Sequence, residues 1–324
     1  MARTTSTTSP PPILQNQIYN YQDPINLLAA FLILALGILG VIVNGSIIRV
    51  FLKEKSERTS FNLICLARAY SNIIILMTMF LGDFFLTTII GFSIFTPLQE
   101  TCLIHLSSAL YSANQVHLVL LANNRIWALF LPRWYRFVHG IIPTSIVLIL
   151  IYLYQFAFLY VEMDWKASKS CYSLYDSEYL SWYSDYRYDC NRRWYNVEDL
   201  TLLALLTTFT ANVISFVRCI VFYCSNNQSM DPEKKKQTQR NVELFFMTIL
   251  QNLIFIVDWI MIKMWPGSSN RFFIFVYGTL FWEFLHFFDE FLMLMFNERL
   301  SLLRNCFQPP PTTTISVLTI PSVG

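Results

Sequence analysis

Leu118–Tyr135, LVLLANNRIWALFLPRWY, is the stretch on which the fold reading turns. An apolar helical run enters it, meets the pair Asn124-Arg125, and leaves through a short aromatic and basic segment carrying Pro132. An arginine at the end of a long apolar run costs little if its head reaches the interface and much if it sits deep. Arg125 therefore marks a membrane boundary, and the following Arg133, Arg136 and His139 make it the cytoplasmic one. Taken alone, Arg125 reads equally well as a snorkelling residue that only sets topology. The number of other spans decides between the two.

Outward from that stretch the whole chain is apolar. Its 324 residues are 55% hydrophobic, 16% aromatic and only 14% charged, with mean hydropathy +0.44. A soluble domain carries about a quarter charged residues. Runs of roughly 20 apolar residues recur, each long enough to cross a hydrocarbon core of about 30 Å. The sequence predicts an all-α membrane protein with seven spans, at about Asn26–Val50, Phe61–Thr88, Cys102–Leu131, Pro143–Val161, Val197–Tyr223, Val242–Met264 and Phe272–Phe296. Residues 1–25, Ser/Thr/Pro-rich, read as a disordered outer tail, 26–296 as the membrane domain, and 308–324 as an unstructured cytoplasmic tail. Between the last two, residues 297–307 place Leu300, Leu302, Leu303 and Phe307 with Arg299 and Arg304, the pattern of a short interfacial helix. No secretory signal peptide is visible, so the first span serves as its own insertion signal.

Charge sets the orientation. Short loops holding Lys53, Lys55 and Arg58, then Arg133 and Arg136, then Lys234–Lys236 and Arg240 alternate with others, of which the long Glu162–Asn196 has five basic residues but, being long, is a weaker vote. The loop Thr88–Gln99 has none. This places the amino terminus outside and the carboxyl tail in the cytosol. The long polar segment Glu162–Asn196 is then external. Its wealth of Tyr and Trp suggests an ordered lid, although aromatics also gather at membrane interfaces.

Of seven cysteines, Cys102, Cys171 and Cys190 face the oxidising side. Three thiols permit one disulfide. Cys102–Cys190, tying the third span to the long loop, is the favoured pairing; Cys171–Cys190, closing that loop on itself, is the alternative. Cys306, past the interfacial helix, is a candidate for palmitoylation.

Inside the bilayer, ionisable and amide residues are rare and turn inward. Asn44, Asn72 and Asp289 fall at similar depths in the inner half and predict a polar cluster between spans one, two and seven. Trp282, His286 and Asp289 are spaced i, i+4, i+7, one inward stripe; it reads as packing or gating ahead of ligand contact. Nearer the outside, Asp258, Trp259, Trp282 and Glu283, with Tyr111 and Gln115 on span three, are the candidate lining of a ligand pocket, with helix packing equally open.

Enzyme signatures are absent. The four histidines show no metal-ligand spacing, and no phosphate loop, nucleophile elbow or Cys-x-x-Cys pair occurs. No cofactor is expected. Lys234–Lys236 reads as a topology signal and a cytosolic face, not a nucleic-acid site.

With these motifs in order, the chain resembles the nematode chemoreceptors of serpentine receptor class x, within the rhodopsin-like G-protein-coupled receptors. The resemblance covers about Leu36–Asn297. GVIVNGSII carries Asn44, SFNLICLARAYSNIIIL carries Arg68, Ala69 and Asn72, and LLANNRIWALFLPRWY follows an Asn-Arg-aromatic-x-x-x-x-Pro-x-x-Tyr pattern with Ile126 at the aromatic place. LFFMTILQNLIFIVDWI matches through Phe246, Gln251 and Asp258, and FWEFLHFFDEFLMLMFN through Trp282, His286, Asp289 and Asn297.

The resemblance implies a rhodopsin-like bundle that binds a small-molecule or peptide cue outside and meets a heterotrimeric G protein inside through Asn124, Arg125, Pro132 and Tyr135. It also implies a site in the plasma membrane of sensory cilia. Two departures stand out. Asn124 occupies the place where most relatives of the broad group carry an acid. Spans five to seven contain no proline, and Asp289-Glu290-x-x-Met293 stands where the group has Asn-Pro-x-x-Tyr. Two rival readings remain: an ion-conducting seven-span chemoreceptor of inverted topology, and a small-solute transporter, which the 9 glycines and lack of repeats disfavour.

Overall fold

The computed structural model describes residues 23–53, 58–185, 190, 197–226, 246–261 and 270–296. The outer tail, the interfacial helix at 297–307, Cys306, the carboxyl tail and Lys234–Arg240 lie outside the described residues.

Among the described residues seven long helices form the bundle. α1 is Pro24–Lys53, α2 runs from Ser60 to Ile90, α3 is Pro97–Phe130 and α4 is Ile141–Lys169. α5 is Val197–Asn226, α6 is Phe246–Met261, and α7 runs from Arg271 to Phe296. A helix of 30 residues is about 45 Å long, more than a hydrocarbon core requires. Five described helices are long and apolar enough to cross a membrane. α3 is longer still, at 34 residues, but interrupts its apolar run with buried Asn, Gln, Ser and His.

The starts follow local chemistry. Thr59 accepts a hydrogen bond from the Asn62 N–H at 3.2 Å and opens α2. Thr96 and Gln99 form a reciprocal capping box, with Pro97 at the first helical position of α3. Asn270 accepts from the Phe272 N–H at 2.9 Å and opens α7. The ends follow it too. Gly91, at φ 87°, takes the left-handed conformation that ends α2. Leu131 leaves the helical region, at ψ 55°, because Pro132 follows it, and the short helix Pro132–Val138 restarts the chain.

α1 shows why the bundle packs. Ala29, Ile33, Gly37, Gly40, Asn44 and Ile47 are buried along one face, while Leu27, Phe31, Ile38 and Ile42 are exposed on the other. A Cβ on Gly40 would stand 2.6 Å from Leu76 Cδ1, so α1 and α2 approach closely because the glycine has no side chain. α3 runs through the middle, against α2, α4 and α5. Two apolar clusters result, one around Ile33, Phe80, Phe84 and Trp282 and one around Ile47, Ile64, Leu121 and Met293.

The span edges differ from the sequence expectation at two places. α3 starts at Pro97, inside the stretch Thr88–Gln99 that the sequence reads as a loop, and α4 continues through Glu162 to Lys169 instead of ending near Val161. Apolar length measures the bilayer, not the helix. Past the apolar run, Glu162 still finds a partner in His105 at 3.2 Å, and Lys166 and Lys169 suit the carboxyl end of a helix.

Beyond α4 the long polar segment folds as a lid. β1 (Ser173–Asp176) and β2 (Ser181–Ser184) pair antiparallel, with Ser173 opposite Ser184 and Asp176 opposite Ser181. The turn holds Leu180 at φ 55°, a conformation uncommon for leucine; its side chain is buried and its carbonyl accepts from Thr279 at 2.8 Å. The hairpin is tied to three helices. Thr101 bonds both the Ser173 N–H, at 2.9 Å, and the Ser173 carbonyl, at 3.2 Å. Thr88 meets the Tyr175 hydroxyl at 3.0 Å. Arg271 at the start of α7 donates to the Ser177 carbonyl at 2.9 Å, and also binds Asp23 and Asn26 at the start of α1.

The favoured disulfide is overturned. The bond is Cys171–Cys190, with Cα atoms 5.5 Å apart, and Cys102 is a free, exposed thiol. The reason is helical phase. Glu100, Thr101 and Ile104 are the inward positions of this turn of α3, which leaves Cys102 on the outer face. Cys171 instead follows Ser170, whose left-handed backbone (φ 51°) turns the chain out of α4 toward the hairpin.

Candidate functional site

Buried polar side chains run through the bundle in three groups. The middle group contains the expected Asn44, Asn72 and Asp289, joined by residues the sequence reading did not assign to that cluster. Asn44 donates to the Gly40 carbonyl at 2.8 Å and to the His286 carbonyl at 3.1 Å. The Asn72 side-chain oxygen lies 2.8 Å from His286 Nδ1 and accepts from Asn114 at 2.8 Å. Asp289 is ion-paired with Arg68 of α2, and its carbonyl accepts from Gln251 of α6 at 3.0 Å. Five helices thus meet here. Arg68 was visible as an intramembrane charge but had no partner in the sequence reading. Depth counting brings α2 and α7 to one level, but nothing in the linear pattern says which residue of α2 faces Asp289.

The second group lies at the end of α3 away from the hairpin. Arg125 donates to the Thr248 hydroxyl of α6, and its guanidinium stands 4.9 Å from the centre of the Phe61 ring, within cation–π range. Beside it, Asn124 donates to Ser60 at 3.0 Å and accepts from Tyr135 at 3.2 Å, while Ser60 and Tyr135 are 3.1 Å apart. Tyr135 is held there because Pro132 opens the short helix that carries it. Asn124 and Tyr135 therefore sit together, with Arg125 next along the chain and Pro132 at the start of the helix that carries Tyr135. Thr248 and Ser60, which fix Arg125 and Asn124, were missed: a lone hydroxyl in an apolar helix carries no signal until its neighbour is known.

The third group lies under the hairpin. Tyr111 donates to Asp258 at 3.0 Å and stands edge-on to Trp282, with ring centres 6.3 Å apart, and to His286, at 6.1 Å. Gln115, one turn along α3, is buried, as is Glu283; Trp259 is half-buried. The hairpin adds two rings, with Tyr175 stacked on Phe84 at 4.2 Å and Trp182 tilted on Trp282 at 6.1 Å. So Tyr111, Asp258, Trp282 and His286 are one cluster under a lid. The expected i, i+4, i+7 stripe on α7 faces inward along its length. Among the described residues no group of three or more His, Cys, Asp or Glu is placed to hold a metal.

Residues 34–297 match the model of the serpentine type seven-transmembrane chemoreceptor family Srx, of the G-protein-coupled receptors. The chain belongs to the Srx family. No curated protein matches it by sequence. Among solved structures the crystal structure of squid rhodopsin matches with a TM-score of 0.70 at 11% identity, covering 91% of this chain and 83% of that chain. At that identity the likeness is one of fold alone: this Srx chain is a multi-pass, rhodopsin-like seven-helix membrane protein. Among the described residues of α7, its Asp289-Glu290 pair stands in an unbroken helix.

Proposed function

We propose that this Srx chain is a plasma-membrane chemosensory receptor. Its amino terminus and hairpin face outward, where the Tyr111, Asp258 and Trp282 cluster takes a small-molecule or peptide cue. Its Arg125 end engages a heterotrimeric G protein. The observation that carries this reading is the bond from Arg125 to Thr248. It fastens α3 to α6 at the end opposite the lid, and only side chains make it, so a modest change in helix position releases it. The polar group of Asn44, Asn72, His286, Arg68 and Asp289 lies between the two ends and gives a cue at one end a route to the other.

The mechanism is a population shift. A cue that binds the released arrangement better raises its share by the difference in affinity and no more. Moving the balance from 1:99 to 99:1 takes about 10⁴-fold preference. Asn124, Tyr135 and Ser60 hold the short helix Pro132–Val138 against α2 and set the surface that the G protein meets.

Cells expressing the full chain, exposed to a panel of cues, give the test. The expected result is a guanine-nucleotide-dependent response that falls at least about tenfold, or about 1.4 kcal/mol, in Arg125→Ala at equal surface expression. A response undiminished in that variant overturns the role of Arg125. An epitope at Met1 is expected to stain on intact cells, and staining only after permeabilisation overturns the orientation.

A further inference from the structure

Four carboxylates are buried under the hairpin, and among the described residues no cation is paired to them. Asp83 of α2, Glu100 in the first turn of α3, Asp258 of α6 and Glu283 of α7 are each 2% exposed or less. The ion pairs among the described residues, Arg68–Asp289, His105–Glu162 and Arg271–Asp23, include none of the four. Three are partly answered by hydrogen bonds. Glu100 accepts from the Tyr175 N–H, Asp83 from Thr87 at 3.2 Å, and Asp258 from Tyr111 at 3.0 Å. Glu283 is different: among the described residues neither of its oxygens has a hydrogen-bond partner, and Asp83 Oδ2 and Asp258 Oδ1 also lack one.

Glu283 packs against α1, and Trp282, the residue before it, belongs to a run of aromatic rings. Glu283 Oε1 lies 3.1 Å from where a Cβ on Gly37 would stand. Phe80 meets Trp282 edge-on, with ring centres 5.7 Å apart, and meets Phe84 in the same way at 5.5 Å. Tyr175 of the lid stacks on Phe84. Burial pushes the Tyr175 phenol up, and Asp83, Asp176 and Glu283 push it further against the pull of its Thr88 bond. The acids of α2 and α7 thus both lie within electrostatic reach of one lid ring.

A carboxylate in an apolar site must be neutralised or matched by a cation that reaches it. Ring faces beside it favour a cation with an organic body, because they attract the charge and pack against the carbons. A bare metal ion needs several oxygen ligands at once, which rings do not supply, and an anion is repelled. We propose that the space beneath the hairpin binds a protonated or quaternary organic amine, with Glu283 as its counter-ion, Asp83 as the second acid, and Phe80, Phe84, Tyr175 and Trp282 as its walls. This rests on the receptor reading above and names the class of its cue.

Thermal melting of the purified full chain in lipid nanodiscs tests it with charged and neutral probes of the same shape. Choline is paired with 3,3-dimethyl-1-butanol, and tyramine with N-acetyltyramine. At about 10 mM, at least one amine is expected to raise the melting temperature while its neutral counterpart does not. Glu283→Gln is expected to weaken that amine at least about tenfold, with Glu283→Asp keeping more of the affinity and Asp83→Asn losing less than Glu283→Gln. Equal shifts from the neutral probes, no shift from either amine, or the same shift from sodium chloride alone each overturn the proposal. So does undiminished binding by a folded Glu283→Gln variant. If that variant does not fold, the paired probes on the unaltered chain decide the matter. A cellular response to a neutral cue that needs Arg125, with no amine binding, overturns this inference and leaves the receptor reading standing. Amine binding with no nucleotide-dependent response does the reverse.

Discussion

Arg68 carries a full charge to a place with no exposed surface, and Asp289 answers it from the facing helix. Such a pair adds little net stability, because desolvating both ions consumes most of the attraction, but removing one partner strands the other. Arg68→Met is therefore expected to cost about 3–5 kcal/mol, read as a fall in melting temperature and in surface expression. Asp289→Asn is expected to cost less, because Glu290 also lies within the field of Arg68 and remains as a counter-charge. Equal melting of Arg68→Met and the unaltered chain would show that the pair does not form. At this scale the sequence was legible in part. Asn44, Asn72 and Asp289 were marked by being polar in apolar spans, and depth counting brought them together. Asn114, Thr248 and Ser60 were not, because an amide or hydroxyl acquires meaning only from what stands across from it.

α2 and α7 each depart from regular helix, and neither has a proline to cause it. Leu76–Phe84 in α2 and Val276–Leu280 in α7 are π-helical, a form in which each turn takes an extra residue and which recurs at functional sites. The first contains Asp83, and the second ends two residues before Trp282 of the third polar group. Irregularity here comes from backbone register, which a search for proline does not detect. α3 and α6 are linked through Thr248. Thr248→Val removes one hydrogen bond to a charged group, worth about 1.5–3 kcal/mol, and is expected to raise signalling in the absence of cue. Basal output equal to that of the unaltered receptor at matched expression would exclude a fastening role. The hairpin rests on a different bond. The Cys171–Cys190 link spans a sequence separation of 19, for which chain entropy gives about 3 kcal/mol. Cys171→Ser is expected to speed amide exchange throughout the hairpin, and Cys102→Ser to leave it unchanged. A maleimide reagent is expected to label Cys102 without prior reduction. The converse pattern would restore Cys102 as the partner of Cys190.

At the scale of the molecule, one residue joins three parts of the lidded end. Arg271 of α7 holds the start of α1 through Asp23 and Asn26, and the hairpin through Ser177. Arg271→Ala is expected to increase exchange in the hairpin and the first turn of α1 while leaving Ser60–Leu63 and Leu121–Arg125 protected. Equal loosening of both ends would show that the bundle moves as one unit, against the division into two apolar clusters. The sequence by itself determined the membrane class, the number of spans and the inward stripe on α7, because each is a matter of apolar length and helical period along one chain. It also marked Arg125, since a charge at the edge of an apolar run has few places to go. Only the tertiary structure decided which cysteines pair, which acid answers Arg68, and which carboxylates are left without a cation. Those depend on the rotation of each helix about its axis and on what stands across the gap, and a linear pattern does not encode the facing partner.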